Sequence, residues 1–210
     1  MAKSEVTFEE FARTVVDTLE VVGLEYLIGG AVAVAAWGEV RTTRDFDVVI
    51  NLPGDQIVRF SQELAKRGML VPPEVMIDLL LQSEGDLPIN ALHLHSSYKA
   101  ELFLLRSGDE FRRVALARRR LVNFEPPMGE VYVHAPEDLI LNKVHYYGLS
   151  QQPKHIRDIA SILVFMEDQL DFTYIDEWAQ KLELTPIWFE VLGQVDELLG
   201  LGDEPESSVK

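Results

Sequence analysis

The sequence predicts an α/β domain of the α+β type: a twisted mixed β-sheet flanked by helices, followed by a helical C-terminal part. Three observations carry this. Up to about residue 135, short apolar runs bounded by glycine and proline interleave with segments of helical spacing. From Pro136 onward the apolar spacing is helical throughout. Hydrophobic residues make up 47% of the 210 positions, enough for one large domain or one and a half.

The elements follow in order. Residues 7 to 22 open on Thr7, an N-cap candidate ahead of two glutamates, and place Phe8, Phe11, Val15, Leu19 and Val22 at helical spacing until Gly23 stops them. Leu24 to Ile28 reads as a strand. Gly29 and Gly30 break it, and Ala31 to Trp37 reads as a helix of small residues. Asp45 to Asn51 is a second strand, closed by Pro53 and Gly54. A helix follows from Gln56 to Lys66, capped by Asp55, and another starts at Pro72 and Pro73. Ile89 to His95 and Lys99 to Leu105 alternate as a hairpin. A short helix begins at Gly108 and Asp109, and strands are expected at Arg119 to Phe124 and Val131 to His134. Pro136, with Glu137 and Asp138 behind it, opens a helix to about Tyr147. Further helices run from about Lys154 to Met166, Tyr174 to Leu182 and Pro186 to Leu199. This divides the chain into a core at 1–135, a helical part at 136–200 expected to pack on it, and a frayed tail at 201–210.

Composition narrows the function. There is no cysteine, so a disulfide framework, a thiolate nucleophile and a Cys-ligated zinc are all excluded. No apolar run approaches the roughly 20 residues that span a bilayer, and the N-terminus lacks a signal-peptide pattern. A cytoplasmic protein without a membrane partner is expected. The net charge of −16 argues against binding along long duplex DNA, which requires a basic surface. It suits a metal site or a basic partner. One basic cluster stands out: Arg112, Arg113, Arg118, Arg119 and Arg120 fall within nine residues. It reads as an anion-binding rim or as a solvated face that balances the acids.

Chemistry concentrates between Tyr26 and Ile50. Two glycines at a strand-to-helix junction let backbone approach a phosphate at a helix N-terminus, or simply make a tight turn. Asp45 and Asp47 are two residues apart on a strand and therefore share a face. Paired carboxylates repel unless a hard cation such as Mg²⁺ or Mn²⁺ binds them, or arginines such as Arg41 or Arg44 offset them. Glu101 is the one acid in the otherwise core-like strand KAELFLL, where it shares a face with Lys99. It reads as a third metal ligand or as the partner of that lysine. Lys143 lies on or beside the apolar stripe of its helix, and Asp158 stands four residues after Lys154, a candidate ion-pair partner. His93 and His95 share a strand face and form a weaker metal candidate, with no third ligand at compatible spacing. Trp37, Trp178 and Trp188 read as core or interface residues.

Taken in order, these pieces resemble a known family. Gly29-Gly30-Ala31 followed by Asp45-Phe46-Asp47 resembles the GG[S/A]…DxD signature of the DNA polymerase β-like nucleotidyltransferase superfamily. RTTRDFDVVI resembles the form found in its small bacterial members. Lys99–Phe103 resembles the family's KVDhF strand, with Glu101 where an aspartate is usual. HAPEDLILNKVHYY and KHIRDIASIL resemble two helical motifs of AbiEii-like and MenT-like proteins, known from phage-defence and toxin–antitoxin systems.

The resemblance implies a nucleotidyltransferase fold and a set of roles. Asp45 and Asp47 would bind the catalytic Mg²⁺ or Mn²⁺, with Glu101 as third acid, helping to orient or deprotonate an acceptor hydroxyl. Gly29, Gly30 and Ala31 would hold the triphosphate of an NTP. Arg44 and Lys99, in the same motifs, and Lys143 and Asp158, in the helical ones, would serve the nucleotide site, Lys143 as a catalytic residue. The implied activity is transfer of a nucleotidyl group from an NTP to a hydroxyl of RNA, such as tRNA, or of a protein. The alternative is a catalytically silent protein of the same fold, acting through a partner such as an antitoxin. Ala31 in place of the common serine, and Glu101 in place of aspartate, bear on which of the two applies.

Overall fold

A computed structural model describes residues 6–82 and 85–200. The expected tail at 201–210 lies outside the described residues. Contacts divide the chain into two compact units. One comprises the residues up to Ala36 together with Val40–Ala135; the other comprises Trp37–Glu39 and the chain from Pro136 onward.

The first unit is built on a six-stranded sheet. Its strands are β1 (Glu25–Ile28), β2 (Asp45–Asn51), β3 (Ile89–Leu92), β4 (Lys99–Leu104), β5 (Arg120–Asn123) and β6 (Glu130–Val133), in the order β3-β4-β2-β1-β6-β5. Pairing is mixed: β2 with β4 and β1 with β6 are parallel, and the other three pairs are antiparallel. Alternation sorts the side chains. Phe46, Val48 and Ile50 of β2, with Ala100, Leu102 and Leu104 of β4, point to one face and are buried.

Helix α1 (Phe8–Val22) packs on that face, where its Phe8 meets Phe46 edge-on at 6.3 Å. A capping box between Thr7 and Glu10 starts α1, and Gly23 ends it in the left-handed conformation. Helix α3 (Ile57–Lys66) adds fully buried Phe60 and Leu64 beside α1, and α4 (Pro73–Leu81) follows it. Each such large side chain contributes about 1.5–3 kcal/mol through its burial. On the opposite face, α5 (Glu110–Arg118) covers only part of the sheet: Ala115 and Leu116 pack against Leu27, Val49 and Phe103. The end of that face carrying Asp45, Asp47 and Glu101 is left half-open.

Several boundaries differ from the expected ones by one to three residues: the helix that opens at Pro136, for example, runs on to Ser150, and α3 starts at Ile57 without a side-chain cap from Asp55. Strand β3 stops at Leu92, not His95: the His93 amide still donates to the Tyr98 carbonyl across the hairpin, and His93 bridges Met69, but the chain turns at 94–97, where the Leu94 amide goes to the Gly68 carbonyl. Helix α2 begins at Gly30, one residue early.

The second unit contains α6 (Pro136–Ser150), α7 (Pro153–Met166), α8 (Phe172–Lys181) and α9 (Thr185–Leu199). Helix α6 neighbours the other three, and α7 neighbours α9. The core of this unit includes Leu139, Ile140, Val144, Ile159, Ile175 and Trp188. Among the described residues no helix is long and apolar enough to cross a membrane.

Candidate active site

The site follows from the register of three neighbouring strands. Strands β2 and β4 run parallel with Asp45 opposite Lys99 and Asp47 opposite Glu101. Facing residues in a ladder share a side of the sheet, so the four form one patch of three carboxylates and one ammonium. Strand β1 runs antiparallel to β2, which brings its end, and the Gly29-Gly30 turn after it, beside Asp47. The amide of Gly29 donates to the carbonyl of Asp47 at 2.8 Å, continuing the ladder past Ile28.

Gly30 is required here for two reasons. Its φ is +56°, which L side chains rarely adopt, and a Cβ would fall 1.8 Å from Oδ2 of Asp47. The Asp47 carboxylate therefore lies against the first residue of α2 (Gly30–Trp37), where the positive end of the helix favours an anion. A Cβ on Gly29 would be 3.5 Å from the His134 ring, which follows β6 and is buried. No role for His134 follows from the sequence pattern. The signal that could have found it is its place directly after β6, the strand parallel to β1. Ala31 is buried, as befits a small residue in a closely packed helix. Arg44 is exposed; its carbonyl accepts from the amide of Lys99 at 3.3 Å. Thr43 steadies the entry to β2, its hydroxyl donating to the Asp45 carbonyl at 3.0 Å.

Lys99 organises the carboxylates. Its Nζ lies 2.5 Å from Oε1 of Glu101 and 3.4 Å from Oδ1 of Asp45. The hydrogen bond to Glu101, aided by the charges of both acids, raises the lysine pKa above its ordinary value against the opposing effect of burial. The donor set suits a hard divalent cation: carboxylate oxygens at adjacent register positions, with excess negative charge. Among the described residues, however, no three His, Asp or Glu side chains converge on a single metal position. Lys99 has drawn Asp45 and Glu101 to itself. Glu101 stands opposite Asp47 in the ladder and is paired with Lys99.

A cavity of about 820 Å³ opens beside the entry to these strands, lined by Phe8, Val32, Arg41, Thr43, Tyr98 and Met128 among others. None of Asp45, Asp47 and Glu101 lines it. The cavity is a recess neighbouring the carboxylate patch.

The other candidates are distributed as follows. Lys143 and Asp158 meet in the helical unit, with Nζ 2.6 Å from Oδ2 and side chains only 7% and 3% exposed. Asp158 thus pairs across helices and not with Lys154, because its side chain points into the unit. Most of the arginine cluster is tied locally: Arg112 to Asp86 and Asp109, Arg113 to the Ser107 carbonyl, Arg119 to the Leu116 carbonyl. Nδ1 of His93 lies 2.8 Å from the Ser96 hydroxyl, and the ring packs near Phe11. His95 meets it edge-on at 5.8 Å, an aromatic contact in place of a metal site. Trp178 and Trp188 are core residues.

The fold has known relatives in structure. The chain matches the solution structure of the antibiotic-resistance factor ANT(2'')-Ia with a TM-score of 0.55 and 16% identity, over 90% of this chain and 98% of that one. It matches ANT(2'')-Ia in complex with adenylyl-2''-tobramycin at 0.51 and 15%, covering 87% and 97%. It matches the lincomycin-bound lincosamide antibiotic adenylyltransferase LnuA at 0.50 and 14%, covering 76% and 98%. The mixed six-stranded sheet with flanking helices and a helical C-terminal part is the nucleotidyltransferase fold. No protein-family model and no curated protein matches the sequence.

Proposed function

We propose that the protein is a nucleotidyltransferase that uses an NTP and Mg²⁺ or Mn²⁺ to modify a hydroxyl group. The observation that carries this reading is the register that sets Asp45, Asp47 and Glu101 on one half-open face, beside the Gly29-Gly30 turn. Asp45 and Asp47 would hold the metal, with Glu101 as third acid. The metal supplies charge neutralisation at the phosphates and alignment of the reacting oxygens. Gly29 and Gly30 offer backbone that a phosphate can approach, at the N-terminus of α2. Arg44 and Lys99 flank the acids as cations for the triphosphate. The acceptor oxygen attacks the α-phosphorus, the bond to the β-phosphate oxygen breaks, and pyrophosphate leaves. Glu101 would accept the hydroxyl proton. The sequence motifs suggest a toxin–antitoxin or phage-defence setting of the AbiEii or MenT kind. They point to RNA or protein as acceptor. The names of the fold neighbours add a small hydroxyl-rich acceptor such as tobramycin or lincomycin.

Incubating the full chain with each labelled NTP, Mg²⁺ or Mn²⁺, and total tRNA, protein extract or an aminoglycoside tests this. Label should pass to one acceptor class, and Asp45→Ala/Asp47→Ala should lower transfer at least a hundredfold, the scale of losing a principal electrostatic group. No transfer to any acceptor sinks the reading.

One observation favours the silent alternative. Lys99 holds Asp45 and Glu101, as a permanent substitute for a metal would. On that reading the chain acts by docking a partner, and its net charge of −16 selects a basic one.

A further inference from the structure

Lys99 poses a question that the proposed activity does not answer. A site meant for a divalent cation already contains a cation. The ammonium stands on the same face as all three acids, in register with Asp45 and two ladder positions from the Asp47–Glu101 pair. It touches Asp45 and Glu101, the first and last of the expected ligands, while Asp47 is positioned separately against Gly30. The side chain is 28% exposed, and those of Asp45 and Glu101 are 53% and 24% exposed. Water therefore reaches the group, and the ion pairs are of the half-exposed kind that exchange at little net cost. The ammonium faces two carboxylates, with Asp47 on the same face, so a doubly charged ion entering the patch meets both attraction and a competitor.

We propose that Lys99 is the built-in competitor of the metal: it holds Asp45 and Glu101 when no metal is bound, weakens the binding of a divalent cation alone, and is released to a phosphate when metal and nucleotide bind together. This rests on the reading of the site as a nucleotidyltransferase centre. Two cations, the metal and the ammonium, compete for one set of carboxylates. The metal takes the carboxylates, and the lysine must then find another anion, which the triphosphate provides. Binding of metal and of nucleotide is thereby coupled, since each removes part of the cost of the other. Lys99 is a positioning residue in this account, and its effect is read in metal binding, not in turnover alone.

The test is a titration of Mn²⁺ into the full chain, with free Mn²⁺ followed by its electron spin resonance signal. It is run with no nucleotide and with a non-hydrolysable NTP analogue, on the wild type, Lys99→Met, Lys99→Gln and Lys99→Arg. Removing one unit of competing positive charge should tighten Mn²⁺ alone by about tenfold in the Met and Gln variants. The Arg variant should stay within about threefold of the wild type, and added salt should shrink the difference between charged and neutral variants. The Met variant should also melt lower than the wild type without metal and recover with Mn²⁺. The Gln variant, similar in length and polar, serves if the Met variant does not fold. The proposal is overturned if Mn²⁺ binds to the nucleotide-loaded wild type but the neutral variants bind Mn²⁺ alone no tighter than the wild type does. If no form binds Mn²⁺ with or without the nucleotide analogue, the nucleotidyltransferase reading fails as well.

Discussion

Lys143 and Lys99 each hold a carboxylate, in opposite surroundings. Lys143 meets Asp158 at 2.6 Å inside the helical unit, where both side chains are buried. Lys99 meets Glu101 and Asp45 on a half-open sheet face that carries a further acid, Asp47. The first is a contact closed off from solvent, in which each charge is desolvated. The second is a wet contact with more acids than the lysine can satisfy. A buried pair is fixed, because separating it means desolvating an ion without compensation. A half-exposed pair with surplus charge can exchange partners. The difference teaches where this protein is built to hold and where it is built to bind.

The largest expected effect lies on the buried side. Asp158→Ala removes the anion closest to a buried ammonium and should destabilise the protein by about 3–5 kcal/mol. Lys143→Met/Asp158→Leu should recover most of that loss, since a well-packed apolar pair often matches a buried ionic one. Thermal and urea denaturation of the three proteins measure both. If Asp158→Ala melts like the wild type, the contrast between the two lysines disappears.

A smaller effect tests the open side. Gly30→Ala forces a side chain onto a positive φ and into the space of the Asp47 carboxylate. It should cost about 1–3 kcal/mol. It should also abolish nucleotide-dependent Mn²⁺ binding, because Asp47 must move. A variant that melts lower yet binds Mn²⁺ normally would separate Asp47 from the metal site.

The smallest effect is a pH dependence away from both lysines. Burial, with a further contribution from the charge of His95, pushes the His93 pKa down. A depressed pKa means the unfolded chain binds the proton more readily. The associated stability is present above the ordinary histidine value of about 6.5 and is lost as pH falls through the lower folded value. Melting temperature should therefore drop as pH falls below about 6.5, and His93→Gln should reduce that slope. An unchanged slope in the variant would assign the drop to other groups.

Much of the fold was legible in local pattern. The Thr7–Glu10 capping box, the Gly23 stop, the bounds of Asp45–Asn51 and the Pro136 start all depend on residues a few positions apart, and all appear as expected. The end of β3 was not legible, because the turn at 94–97 gives the Leu94 amide to the Gly68 carbonyl, which lies far away in sequence. The same holds for Asp158, whose partner is set by the packing of α7 on α6 and not by helical spacing. For the candidate site, alternation showed that Asp45 and Asp47 share a face, and likewise Lys99 and Glu101. That the two pairs lie side by side depends on β2 and β4 pairing in parallel, which only the fold decides. His134 enters beside Gly29 for the same reason, through β6 lying next to β1.

The central claim is that the half-open face of β2 and β4 takes a nucleotide with a metal. Equilibrium binding of a non-hydrolysable NTP analogue with Mg²⁺ tests it most directly, on the wild type and on Asp45→Asn/Asp47→Asn, with melting curves to show that both fold. The account predicts saturable binding to the wild type that depends on Mg²⁺ and is lost in the folded double variant. Binding that is equal in the two proteins, or absent from both, would contradict it.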